Sequence, residues 1–185
     1  MTPWQIRQAA RALDGGGVIA YPTETVYGLG CKPLERSAVE RLLALKTRPV
    51  EKGLILVAAE LAQLRPYLDI SDPRLLAKLQ QSTPHPTTWI APCCRTTPHW
   101  LRGQHDSLAV RLCRHPGVQA LCRRVGDAIV STSANPQGLE PARSAMKVRR
   151  YFGNEIDYLL AGPVPANARP SEIRELVSGR VVRPG

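Results

Sequence analysis

Aromatic residues are scarce. One Phe, three Trp and five Tyr in 185 residues leave little from which to build a stacking platform for single-stranded nucleic acid. Histidine is scarcer still. His85, His99, His105 and His115 are scattered and read as surface or loop residues. No set of His or carboxylates has the spacing of a metal site, so the expected metal ligand set is none. No His–Ser pair stands beside an evident orienting acid, which argues against a hydrolytic triad. The cysteines, Cys31, Cys93, Cys94, Cys113 and Cys122, form no Cys-x-x-Cys pair and are odd in number. Zinc and a disulfide framework are therefore not expected; reduced, mostly buried thiols are. No apolar run approaches the roughly 18–20 residues of a membrane span. Met1-Thr-Pro-Trp-Gln5 lacks the basic start and apolar block of a signal peptide. These absences predict a cytoplasmic protein without a membrane partner. The common nucleotide signatures are missing too. Gly15-Gly-Gly17 precedes a strand pattern instead of following one, and no Walker A lysine loop occurs.

Acidic residues are in deficit. Fifteen Asp and Glu against 25 Lys and Arg leave a net charge of +10, which suits a phosphate-rich partner, nucleotide or RNA. With few aromatics, any RNA contact is expected through backbone charge and shape. The length is enough for one domain with a full core.

Along the chain, Gln5 to Leu13 reads as an amphipathic helix, and Val18 to Tyr21 as a short buried strand. If the next stretch is extended, the hydroxyls of Thr23, Thr25 and Tyr27 share one side and Glu24 takes the other. Gly28 and Gly30 allow close approach of a ligand or of neighbouring chain. Residues 37–45 form a helix that Pro49 terminates. Lys46, Arg48 and Lys52 then lie on a turn before strand 54–59, where they can converge on one anion. Helices follow at 59–64 and 73–79, a rigid loop at 82–86, and a strand at 87–91. Residues 92–104 read as loop with at most one helical turn. Leu108 to Leu112 is a strand with Arg111 set inside it. An unpaired buried guanidinium costs several kcal/mol, so Arg111 meets an acid or faces a ligand cleft. A helix at 118–125 leads to strand 128–130, which Ser131-Thr-Ser-Ala-Asn135 closes. A helix at 144–152 turns Val148, Tyr151 and Phe152 inward, and strand 158–160 follows. A Pro-rich loop at 162–170 precedes a hairpin, 172–177 with 180–183, turning at Ser178-Gly179. The interleaving predicts an α/β fold, a single domain over 1–185 built on a twisted mixed β-sheet with flanking helices. Strand ends carrying Thr23–Tyr27, Lys46–Lys52, Thr87–Thr88 and Ser131–Asn135, with Arg111, can meet in one pocket.

Tyr21-Pro-Thr-Glu-Thr-Val-Tyr-Gly-Leu-Gly30, Lys46-Thr-Arg-Pro49 with Lys52, Leu108-Ala-Val-Arg111 and Ser131-Thr-Ser-Ala-Asn135 stand in the order and approximate spacing of the YrdC-like family. The chain resembles its single-domain bacterial branch from about Val18 onward. The resemblance implies a YrdC-like fold with a basic concave face and a threonylcarbamoyl-AMP synthase activity. Such enzymes join L-threonine, bicarbonate and ATP into threonylcarbamoyladenylate and pyrophosphate. Partner proteins then transfer the group to position 37 of tRNA. By the same resemblance, Lys46, Arg48 and Lys52 are the catalytic cations, with Arg48 and Lys52 on the ATP phosphates. Thr23, Thr25, Tyr27, Arg111 and Ser131 bind threonine, and Thr88, Ser133 and Asn135 serve the nucleotide. Mg2+ is expected to arrive with ATP and not in a protein cage. Direct contact with tRNA or double-stranded RNA is a further expectation. His85 stands where family members commonly carry glycine in a Pro-Gly-Pro turn. The competing expectation is a non-enzymatic RNA-binding factor of ribosome or tRNA maturation, which would not need Thr23, Ser133 and Asn135 beside the cations.

Overall fold

The structure is a computed structural model, and it describes residues 1–81, 83, 85–165 and 170–185. Seven α-helices and nine strands alternate among these residues. Helix α1 spans Pro3–Asp14. Thr2 and Gln5 cap it reciprocally, and Pro at its start needs no amide partner. Its buried face, Ile6, Ala9, Ala10 and Leu13, repeats at helical spacing. Strands β1 (Ile19–Pro22) and β2 (Tyr27–Gly30) form an antiparallel pair. Helix α2 (Arg36–Lys46) and a 3-10 turn at Val50–Lys52 lead into β3 (Ile55–Ala58). Then come α3 (Leu61–Leu64), a 3-10 turn at Arg65–Tyr67, α4 (Pro73–Gln80) and β4 (Thr87–Pro92). Next are α5 (His99–Arg102), β5 (Ser107–Leu112), α6 (Pro116–Val125) and β6 (Ile129–Ser133). Helix α7 (Ala145–Phe152), β7 (Tyr158–Leu159), β8 (Glu172–Glu175) and β9 (Val181–Arg183) complete the order.

All nine strands join one mixed sheet, ordered β7-β1-β2-β6-β3-β5-β4-β8-β9. β7 runs parallel to β1, β3 to β5, and β4 to β8; the remaining pairs are antiparallel. Alternation along the strands sends side chains to two faces. On one face Leu56, Ala58, Val110 and Val130 pack in a core with Val39 and Leu42 of α2. On the other, Ile19, Val57 and Ile129 pack under α1 and α6 through Ile6, Leu13, Val118 and Leu121. Those two helices cover only part of this second face. Two residues from Val57 lies Ile55, and two and four residues from Ile129 lie Ser131 and Ser133; all three line an open cavity.

The expected helices and strands are present, with several corrections. Residues 23–26 are not extended. The chain bends after Pro22, and Thr23 Oγ1 closes the bend by donating to the Val26 carbonyl at 2.7 Å. Tyr27 therefore begins β2, and its hydroxyl bonds the Gly162 backbone. Helix 59–64 begins at Leu61, because Glu60 and Gln63 cap it there, and it runs on as a 3-10 turn. Residues 92–104 hold the one expected helical turn, α5, and add a bridge between Leu68 and Cys93. β6 does not stop at Val130: Ser131 and Ser133 pair with β3 and β2, so the hydroxyls lie inside the strand. Tyr151 is half-buried, whereas Val148 and Phe152 face inward as expected. The five cysteines are free thiols, three of them buried. Ser82 and Pro84 of the rigid loop, and residues 166–169 of the Pro-rich loop, lie outside the described residues. No helix among the described residues is long and apolar enough to cross a membrane.

Candidate active site

The open part of the second sheet face holds a cavity of about 440 Å³. Its floor is set by strand alternation: Ile55 from β3, Ile90 from β4, Ser107, Ala109 and Arg111 from β5, and Ser131 and Ser133 from β6. The 23–26 bend walls one side with Thr23 and Thr25. The basic turn brings Arg48 and Lys52. The C-terminal hairpin adds Ile173, Val182 and Arg183. Arg48, Lys52, Arg102, Arg111 and Arg183 all line the cavity, and no carboxylate does among the described residues. Such a cavity concentrates anions.

Arg111 is 6% exposed, and its Nε is buried without a hydrogen-bond partner. It forms no ion pair among the described residues. Of the two expectations for this residue, acid partner or ligand cleft, the geometry gives the cleft. Leaving a buried donor unmade costs about 1–3 kcal/mol, and a ligand anion would recover it. Arg183 donates from Nη2 to the Ser171 carbonyl at 2.8 Å. Burial, and then the charge of Arg111, pull its pKa down, so both cations act on one space.

The basic turn divides its three cations. Helix α2 ends at Thr47, whose φ of 50° is left-handed, and this turns Arg48 away from the helix axis. Arg48 donates to the Gly53 carbonyl from Nε at 3.3 Å and Nη2 at 2.8 Å, and its burial lowers its pKa. Lys52 is exposed at the rim. Lys46 does not join them. Its Nζ donates to the carbonyls of Ser133 and Asn135 and approaches Asn135 Oδ1 at 3.4 Å. Burial, and then Arg48, push its pKa from 10.5 to about 8. Its contacts tie α2 to the end of β6, outside the cavity lining.

The remaining expected residues separate as follows. Thr23, Thr25, Tyr27, Ser131 and Ser133 line the cavity. Thr88 is fully buried and meets Ser171 Oγ at 3.0 Å; it is Ser171 that lines the cavity. Asn135 closes the following turn by donating to the Pro136 and Leu139 carbonyls. Gly30 makes room for protein, since a Cβ there would lie 2.8 Å from the Tyr21 ring, whereas Gly28 lines the cavity next to Ser131. Sequence reasoning missed Arg102, His105, Ser171 and Arg183 at the cavity. His105, read as a plain surface residue, is exposed but on the rim. Arg183 carried a signal, since a β9 residue opposite Ile173 lies on a calculable face once the hairpin register is known.

A family model described as "Telomere recombination", built on Sua5, YciO and YrdC proteins, matches residues 11–185. The chain belongs to this family. Among its relatives, a threonylcarbamoyl-AMP synthase of Cellvibrio japonicus is 48% identical over 97% of this chain and 95% of its own length. One from Pseudomonas entomophila is 45% identical over 100% of both chains. Among solved structures, Sua5 of P. abyssi complexed with L-threonine superposes with a TM-score of 0.91 at 30% identity. It matches 100% of this chain, which spans 55% of that longer protein. YciO of E. coli matches with a TM-score of 0.82 at 28% identity, over 100% of this chain and 91% of its own. The family likeness agrees with the mixed sheet flanked by helices described above.

Proposed function

We propose that this chain is a threonylcarbamoyl-AMP synthase, and that the cationic cavity is where L-threonine, bicarbonate and ATP combine. The observation that carries the proposal is Arg111: a buried guanidinium with a free Nε in a cavity of five cations and no described carboxylate. Its planar fork suits the threonine carboxylate. The threonine amine attacks bicarbonate, water leaves, and a carbamate forms. A carbamate oxygen then attacks the α-phosphorus of ATP, and pyrophosphate departs. Every participant is anionic or becomes so, and fixed cations hold them together without a strong base. On this reading Arg48 and Lys52 take the phosphates in the cavity that they line together with Arg111, Ser131 and Ser133. The apolar wall of Ile55, Ile90, Ile173 and Val182 offers contact to a base.

No group of three or more His, Cys, Asp or Glu among the described residues is placed to hold a metal. Mg2+ on this reading travels with the triphosphate, where it would shield charge, and the cavity's hydroxyl oxygens are the donors offered to it. Transfer of the product to tRNA position 37 falls to partner proteins.

The test is incubation of the chain with ATP, threonine and bicarbonate, followed by mass analysis. Threonylcarbamoyladenylate and pyrophosphate should form together, and neither should form when threonine is left out. Threonine should outrun 2-aminobutyrate, which lacks the hydroxyl that Thr25 and Ser131 can meet. Pyrophosphate release that ignores threonine would overturn the proposal.

A further inference from the structure

Glu24 stands between the two hydroxyls of the threonine-side bend yet turns away from the cavity. Its carboxylate accepts from the backbone amides of Arg114 and His115, the latter at 3.1 Å, and from Cys113 Sγ at 3.1 and 3.2 Å. These donors follow β5 directly, so Glu24 ties the bend to the strand that carries Arg111. Arg111 is the penultimate residue of β5, and Cys113 is the first residue after the strand. Glu24 lines a different, smaller cavity of about 250 Å³, which it shares with Arg114 and Gln119.

What this anchor holds is a directed pair of hydroxyls. Thr23 Oγ1 has one proton, and it goes to the Val26 carbonyl at 2.7 Å. Thr23 Oγ1 also accepts from the amides of Thr25 at 3.1 Å and Val26 at 3.3 Å. Its proton and both lone pairs are thus engaged, so the 3.2 Å contact between the two hydroxyls fixes no donor. Thr25 Oγ1 keeps its hydrogen-bonding capacity for the cavity, which it lines together with Arg111.

We propose that Glu24 is a positioning residue for amino-acid recognition: it fixes the Thr23–Thr25 bend so that the Thr25 hydroxyl faces the cavity that Arg111 also lines. This inference rests on the synthase reading. Burial raises the Glu24 pKa, but Arg111, Cys113 and the backbone amides outweigh it and hold the carboxylate below its ordinary range. The anchor is thus charged at neutral pH. The separation from Arg111 matters, because a direct ion pair would occupy the guanidinium that the substrate needs.

The experiment uses purified Glu24→Ala and Glu24→Gln. KM for threonine, KM for ATP, the threonine to 2-aminobutyrate preference and melting temperature are measured on each, beside wild type. In Glu24→Ala the threonine KM should rise about tenfold and the preference should shrink, with ATP KM within about twofold, as expected for loss of one oriented contact. Glu24→Gln keeps an oxygen for the two amides but loses the charge, so its threonine KM should rise by less, about threefold, with the ATP KM unchanged. If Glu24→Ala does not fold, Glu24→Gln still decides, through a threonine KM that rises while the ATP KM holds. Equal changes in both KM values, or a lower melting temperature with threonine KM and preference unchanged, would overturn the inference. Failure of the wild type to form the adenylate would instead overturn the synthase reading.

Discussion

Arg111 and Lys46 are both buried cations, and their surroundings give them opposite duties. Arg111 has no ion pair among the described residues and an unmet Nε, so the charge of Glu24 offsets only part of the cost of burying it. Arg111→Met should leave stability unchanged or raise it by about 1–3 kcal/mol while abolishing threonine binding. Urea melts paired with threonine calorimetry check this; a large loss of stability would show that Arg111 is structural. Arg111→Lys should fail on threonine too, since an ammonium cannot make the bidentate fork. Lys46 spends its protons on the Ser133 and Asn135 carbonyls. Lys46→Met should lower stability by about 2 kcal/mol by leaving those acceptors unmet. The pH dependence follows from a folded pKa of about 8 against an ordinary 10.5. The folded state releases this proton more easily, so wild-type stability relative to Lys46→Met should rise as pH climbs from about 8 towards 10.5. A flat difference across that window would refute the buried placement.

At the scale of elements, the basic turn is held by a neighbour distant in sequence. The Leu54 amide donates to the Leu101 carbonyl at 2.8 Å, and the Gln104 amide to Glu51 at 3.4 Å. Gly53 and Gly103, with φ of 62° and 64°, let α5 and the 3-10 turn at Val50–Lys52 touch. A Cβ on Gly103 would strike Glu51, reaching 2.7 Å from its carbonyl carbon and 2.8 Å from the Gly53 nitrogen. Gly103→Ala should therefore push the turn, cost about 1–3 kcal/mol, and raise the ATP KM well above any change for threonine. Steady-state kinetics on both substrates test it. A normal ATP KM would mean that Lys52 is not placed by this contact. The sequence shows cations before an apolar strand, but nothing in it couples residues 51–53 to residues 101–104.

For the whole molecule, the excess of cations and the cavity free of described carboxylates act together. ATP is multiply charged and threonine is zwitterionic. Raising salt from 0.05 M to 0.5 M should therefore raise the ATP KM several-fold and the threonine KM much less, because the Debye length falls from about 14 Å to about 4 Å. Equal salt dependence would mean that the cations act locally and not as a field.

The sequence by itself determined the elements, since helical and strand periodicities record which side of each segment is apolar. It also marked the polar stretches at strand ends and the odd placement of Arg111. Tertiary structure decided which of those groups share space. Lys46 and Arg48 are two residues apart, yet the left-handed turn at Thr47 sends one to the β6 carbonyls and the other to the cavity. Thr88 is masked by Ser171, 83 residues away, and Arg183 enters only because β8 and β9 extend the sheet beside β4. The cavity exists because α1 and α6 cover part of one sheet face and leave the rest open. Local periodicity fixes the face on which a side chain lies; whether that face is covered depends on contacts between segments far apart in the chain.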